Sequence, residues 1–173
     1  VTWTATTGVY TYTENAAAIE ALDATETRSE SFRRNGTEGE GEMVTQTYTV
    51  NVSGADDAPT LGAVTTGTVA EDDQAATTTV TNLTGTLAGA DVDVEDLTYG
   101  INDSAGNAVT AAGGTVTLVG TYGTLTLNAT TGVYTYTENA AAIEALDATE
   151  TGSDSFTMTV TDGDGALVTQ TYT

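Results

Sequence analysis

Carboxylates are the only side chains this sequence supplies in the numbers and spacings that a reactive or binding centre needs. Asp56 and Asp57 are adjacent, and Glu71, Asp72 and Asp73 run together. Asp91, Asp93, Glu95 and Asp96 fall in GADVDVED, and Asp162 and Asp164 alternate with glycine in DGDG. An Asp-x-Asp alternation in a loop aims several oxygens at one place, and glycine lets the backbone turn there. Calcium suits such a set, because it takes about six to eight hard oxygen ligands from carboxylates, carbonyls and water. One pair alone would read as a solvated loop. Four clusters in a stretch without a basic residue read as ion sites. The expected cofactor is therefore Ca2+, with Asp56, Asp57, Glu71, Asp72, Asp91, Asp93, Asp96, Asp162 and Asp164 as candidate ligands. The loop pattern of helix–loop–helix calcium proteins is absent.

Other chemistries are excluded by what the chain lacks. It has no Cys, His or Lys, so there is no thiol, no imidazole base and no amine nucleophile. Ser-His-Asp and Cys-His arrangements and His-containing zinc sites fall away with them. A glycosidase-type carboxylate pair remains formally available. A chain built of near-identical repeats argues against one buried acid with a raised pKa, and the sequence reads as a non-enzyme.

The formal net charge is -22, and the only basic residues are Arg28, Arg33 and Arg34. Residues 50–173 hold 17 Asp and Glu and no basic residue. Nucleic acids and anionic membranes both demand Lys or Arg against phosphate, so neither is an expected partner. The carboxylates of that stretch have no cationic side chain to pair with; they must be hydrated, spread apart, or bound to cations. Disulfides are impossible, so an exported protein of this composition needs another stabiliser. No apolar run approaches the roughly 18 residues of a bilayer span.

The elements that position these residues come from a repeat. Residues 5–27 recur unchanged as 129–151, and residues 1–49 match 125–173 at 36 of 49 positions with a constant offset of 124. Arrays of this kind are usually scaffolds or multivalent binders. Thr, Val, Tyr and Leu alternate with small or polar residues throughout, which predicts β structure. Residues 115–118, 123–127, 133–137, 155–161 and 167–173 are the clearest strands. Val116, Leu118, Leu125, Leu127, Phe156, Met158 and Val160 fall on inward faces. Tyr134 and Tyr136 share one face and are expected to pack rather than form a sugar platform. Turns fall at 104–107, 128–132 and 162–165. Short strands every 8–12 residues or so predict an antiparallel sandwich. The Ala-rich residues 138–146, with Ile143 and Leu146 three apart, predict one short helix crossing between the sheets.

Residues 53–59 carry the acidic pair and the only proline, Pro59, and read as a linker. Residues 1–52 then form the C-terminal half of one repeat and 60–173 a complete repeat. A domain at 1–124 is the alternative phase. The first half is divergent in one place. Met158, Thr159 and Val160 become Arg34, Asn35 and Gly36, and Asp162 and Asp164 become Glu38 and Glu40. Arg-Asn-Gly should weaken a central strand.

Taken together, residues 120–137, 145–152, 155–165 and the junction 54–60 resemble the VCBS repeats of giant bacterial surface adhesins. The resemblance covers 50–173 and again 1–49. It implies an all-β, antiparallel immunoglobulin- or cadherin-like β-sandwich repeat, in tandem arrays of type I-secreted, RTX-type biofilm adhesins. It also implies calcium rigidification, and the junction is similar to the acidic-then-proline linker of cadherins. The EGEG of the first copy departs from the family's DGDG.

The function expected on this basis is a structural extender of an extracellular, bacterial cell-surface adhesin, stiffened by calcium and projecting a distal adhesive domain. Its partners would be neighbouring repeats of the same polypeptide. A carbohydrate- or cell-binding module and a self-associating repeat are the alternatives. Asp56 and Asp57 are expected to share a site with Asp91 and Asp93 across the short linker. Asp162 and Asp164, turning between two late strands, are expected to sit apart.

Overall fold

Two units make up the chain, Val1–Asp57 and Ala58–Thr173. The computed structural model describes residues 2–4, 7–37, 39–71, 78–93, 95–147 and 149–173, apart from the side chains of Trp3 and Thr78. The expectations for Glu38, Asp72 and Asp73 lie outside the described residues.

In the first unit, β1 (Thr2–Thr4) and β2 (Val9–Thr11) form a hairpin, and Gly8 near its tip has φ +66°. The Ala-rich stretch that follows makes α1 (Ala16–Glu20), entered from an extended Asn15. Then β3 (Thr27–Thr37) and β4 (Met43–Ser53) pair along their whole length, from Thr27↔Ser53 to Thr37↔Met43. Arg34, Asn35 and Gly36 thus lie within an unbroken strand, one of a two-stranded hairpin rather than the central strand that they were expected to weaken. Asn35 and Gly36 are exposed and Arg34 half-buried, so polar side chains lose little water there. The Arg34 guanidinium sits 5.6 Å from the Tyr10 ring centroid and donates to the Gly8 carbonyl at 3.3 Å. Thr45 Oγ1 donates to Asn35 Oδ1 across the hairpin at 3.1 Å.

The second unit holds the core. Its strands are β5 (Thr60–Leu61), β6 (Thr68–Glu71), β7 (Thr78–Thr81), β8 (Thr84–Thr86), β9 (Gly89–Ala90), β10 (Thr98–Asn102), β11 (Thr115–Val119) and β12 (Gly123–Asn128). After β13 (Val133–Glu138), α2 (Ala140–Ile143) leads to β14 (Phe156–Thr161) and β15 (Leu167–Tyr172). One sheet has the order β11-β12-β13-β8 and the other β10-β14-β15, with β5-β9 and β6-β7 as two-stranded pairs. Every pairing is antiparallel. The second unit is an all-β sandwich, as the alternation predicted, and the described residues of the chain include two short helices. Because α2 connects β13 of one sheet to β14 of the other, it is the crossover read from residues 138–146.

Strand periodicity decides the core. Leu125 and Leu127 of β12 face inward opposite Tyr136 and Tyr134 of β13, and Val116 of β11 lies across from Leu127. Ile101, Leu125, Leu127, Met158 and Val160 are wholly buried. Tyr134 meets Tyr172, and Tyr136 meets Phe156, at ring-centroid distances of 5.3 and 6.0 Å, which joins the two sheets. Each buried aliphatic or aromatic side chain contributes about 1.5–3 kcal/mol relative to exposure. Both tyrosines are core residues, as expected, rather than a sugar platform.

The two copies differ in burial despite their shared sequence. Tyr10 and Tyr48 are 43% and 39% exposed, whereas their counterparts Tyr134 and Tyr172 are 5% and 2% exposed. Leu22 is the only buried hydrophobic residue among the described residues of the first unit. Strand β8, which pairs with β13 at Tyr134, has no counterpart within residues 1–57, nor have β10 and β11, and β12 is represented there only by β1, the counterpart of residues 126–128.

Candidate metal centre

Register brings the acidic loops of the second unit together. Strand β10 pairs with β14 from Thr98↔Thr161 to Asn102↔Thr157. In an antiparallel pair the residues before Thr98 and those after Thr161 must emerge at the same end. Pairing of Thr60 with Ala90 puts Asp91 at the end where the chain enters at Pro59. Residues 91–96 and the 162–165 turn therefore share one end of the sandwich. The expectation that Asp162 and Asp164 sit apart or at the far end from the loop of Asp91 and Asp93 is corrected by this register, which brings the turn to that loop through a direct clasp by Glu95. Glu95 Oε2 accepts the backbone N–H of Gly163 at 2.7 Å. A Glu95 carboxylate oxygen lies within 4.8 Å of one on Asp164.

The turn is built by its first aspartate. Asp162 is 7% exposed, and its Oδ1 accepts the N–H groups of Gly165 at 2.7 Å and Ala166 at 2.8 Å. Gly165 has φ +96°, which a side chain would strain, so the last glycine of DGDG is required by the turn. Asp162 Oδ2 is buried and accepts no hydrogen bond. Asp91 repeats the arrangement: its Oδ1 accepts the Asp93 N–H at 2.8 Å, and its buried Oδ2 accepts none. A buried carboxylate oxygen without a donor costs free energy comparable to a lost charged hydrogen bond. With no basic residue in 50–173, a cation is the natural compensation. Asp93 and Glu95 are half-buried, and Asp96 and Asp164 exposed, so the donor set is all oxygen and ranges from the interior to solvent. Oxygen-only ligation is the chemistry of Ca2+.

Glu71 falls elsewhere in the second unit. Glu71 ends β6, whose preceding Gly67 donates its N–H to the Thr173 carbonyl at 2.9 Å. It therefore lies toward the far end of β15, away from the 162–165 turn. Asp56 and Asp57 belong to the first unit, Val1–Asp57.

Sequence reading noted Glu95 in its cluster and did not select it as a ligand. Its partner turn is 68 residues away, and only the β10–β14 register reveals the contact. Asp154 was missed altogether. It accepts the N–H of Thr121 at 2.7 Å, the N–H of Tyr122 at 2.9 Å and the hydroxyl of Tyr136 at 2.8 Å. Burial, followed by that hydrogen bond to Asp154, pushes the Tyr136 hydroxyl pKa well above the ordinary phenol value. Asp154 is a structural clasp between the β11–β12 turn, β13 and the approach to β14.

No curated protein and no solved structure matches the chain. Residues 56–173 match the bacterial cadherin-like domain, a span that contains the sandwich and the acidic end just described. The chain belongs to the bacterial cadherin-like domain family.

Proposed function

We propose that the chain is a structural repeat of a bacterial cell-surface adhesin, a non-enzymatic extender whose acidic end binds calcium. Membership of the cadherin-like family supports an extracellular adhesin-type repeat. No helix among the described residues is long and apolar enough to cross a membrane. The observation that carries the calcium reading is the clasp of Glu95 on Gly163, with a Glu95 oxygen within 4.8 Å of one on Asp164, at the end of the sandwich where Asp91 and Asp162 each bury a carboxylate oxygen that accepts no hydrogen bond. In this reading Asp91, Asp93, Glu95, Asp162 and Asp164 hold the ion, with Asp96 at the solvent edge. Calcium supplies positive charge where residues 50–173 have none, and relieves repulsion between the 91–96 loop and the 162–165 turn. Stiffening of successive repeats and projection of a distal domain in biofilm attachment, as in VCBS-type RTX adhesins, belong to the same reading.

The sugar-binding alternative needs an exposed aromatic platform, and Tyr134 and Tyr136 are spent on the core of the second unit. Calorimetric titration with Ca2+ tests the proposal. Wild type should bind, and Glu95→Gln should bind more weakly, by about tenfold for one lost carboxylate charge. Absence of binding by wild type at millimolar Ca2+, with the second unit folded, would refute it.

A further inference from the structure

A groove of about 550 Å³ runs along the second unit between β6 and residues 151–155. Leu146, Asp147, Glu150 and Phe156 line it on one side and Val69 on the other, and Thr173 stands at its end. The first copy shows what such a groove accommodates. There β4 continues past Thr49, the counterpart of Thr173, through Val50 and Val52 to Ser53. It stays paired with residues 27–31 of β3, the counterparts of 151–155. The next residues seat on the α1 exit: Gly54 donates its N–H to the Glu26 carbonyl at 3.1 Å, and Ala55 to the Leu22 carbonyl at 3.2 Å. Leu22 and Glu26 correspond to Leu146 and Glu150, both on the groove wall, and residues 5–27 and 129–151 are identical.

In the second unit Tyr172 pairs with Phe156, and residues 151–155 are not strand. Leu146 is half-buried where Leu22 is buried. The far wall is ready for a strand as well. The hydrogen bond from Gly67 to Thr173 and the contact of Gln170 Nε2 with the Leu61 carbonyl at 3.3 Å show β15 running alongside the chain from Leu61 to Gly67. A continuation of β15 would enter between β6 and residues 151–155.

We propose that this groove is a binding slot for one extended strand with the sequence of residues 50–55, Val-Asn-Val-Ser-Gly-Ala, entering from Thr173. Its walls offer main-chain pairing along 151–155 and apolar contact with Leu146 and Val69. The fifth position must be glycine: a Cβ on Gly54 would lie 2.1 Å from the Leu22 carbonyl oxygen and 2.3 Å from that of Asp23. That contact is with backbone and cannot yield without shifting the helix exit.

The test extends the full 173-residue chain at Thr173 with Val-Asn-Val-Ser-Gly-Ala-Asp-Asp, and compares it with the same extension carrying Val at the glycine position. Amide exchange in 151–155 should slow by about tenfold or more in the glycine form, because those amides leave the least protected class for a paired strand. The midpoint of thermal unfolding of the second unit should rise with it, and the Val form should lose both effects. Unchanged exchange and an unchanged midpoint in the glycine form would overturn the proposal. So would equal gains in the glycine and Val forms, because the added residues would then not be seated as Gly54 is.

Discussion

Val160→Gly transfers to the second unit a substitution that the first copy already carries as Gly36. Val160 is wholly buried, on the central strand of the β10-β14-β15 sheet, opposite Tyr99 and Val168. Removing a buried valine side chain costs about 1.5–3 kcal/mol in lost transfer free energy. Glycine in a strand adds roughly 0.5–1 kcal/mol of backbone entropy. The sum, about 3 kcal/mol, is a large part of the roughly 5–15 kcal/mol that holds a domain folded. At about 4 °C per kcal/mol for a domain of this size, the midpoint of the second unit should fall by about 12 °C. The assay is thermal unfolding followed by amide NMR signals of residues 58–173. The reverse change, Gly36→Val, sits at an exposed position of a two-stranded hairpin. It should alter stability by no more than about 1 kcal/mol, in the stabilising direction. A drop of less than about 4 °C for Val160→Gly, or equal and opposite effects at the two positions, would refute the argument that the copies differ through burial.

Asp154→Ala should destabilise the second unit by about 3 kcal/mol, because it strips acceptors from two backbone N–H groups and the Tyr136 hydroxyl at once; urea unfolding of the variant against wild type reads this. Tyr136 carries a raised folded-state pKa, so its contribution to stability is complete below the unfolded phenol pKa of about 10 and is lost as pH rises above it. Urea midpoints of the second unit should therefore fall above about pH 10, and Tyr136→Phe should flatten part of that fall.

Period-two alternation and turn residues made the strands from 115 to 172 legible in the sequence, because a side chain's face in a strand follows from its position alone. The same logic found the buried tyrosines and, from an Ala-rich stretch between strands, the crossover helix. Asp-x-Asp spacing found the acidic loops, since local chain geometry already gathers those oxygens. Pairing partners distant in sequence were not legible. Thr98↔Thr161 decides that the 91–96 loop and the 162–165 turn meet, and it brings Glu95 onto Gly163, which makes it a candidate ligand. Glu71 read as one of the same acidic set, yet the contact of Gly67 with Thr173 carries its strand toward the other end. Arg34, Asn35 and Gly36 show the limit most clearly. Propensity predicted a weakened strand, but propensity in a sheet is largely a measure of burial. Between exposed faces the strand persists, and at the wholly buried positions of Met158 and Val160 the same residues would be costly. The sequence determined which residues alternate and where the charge lies; the tertiary structure decided which ends meet and which faces are covered, because both depend on partners tens of residues away.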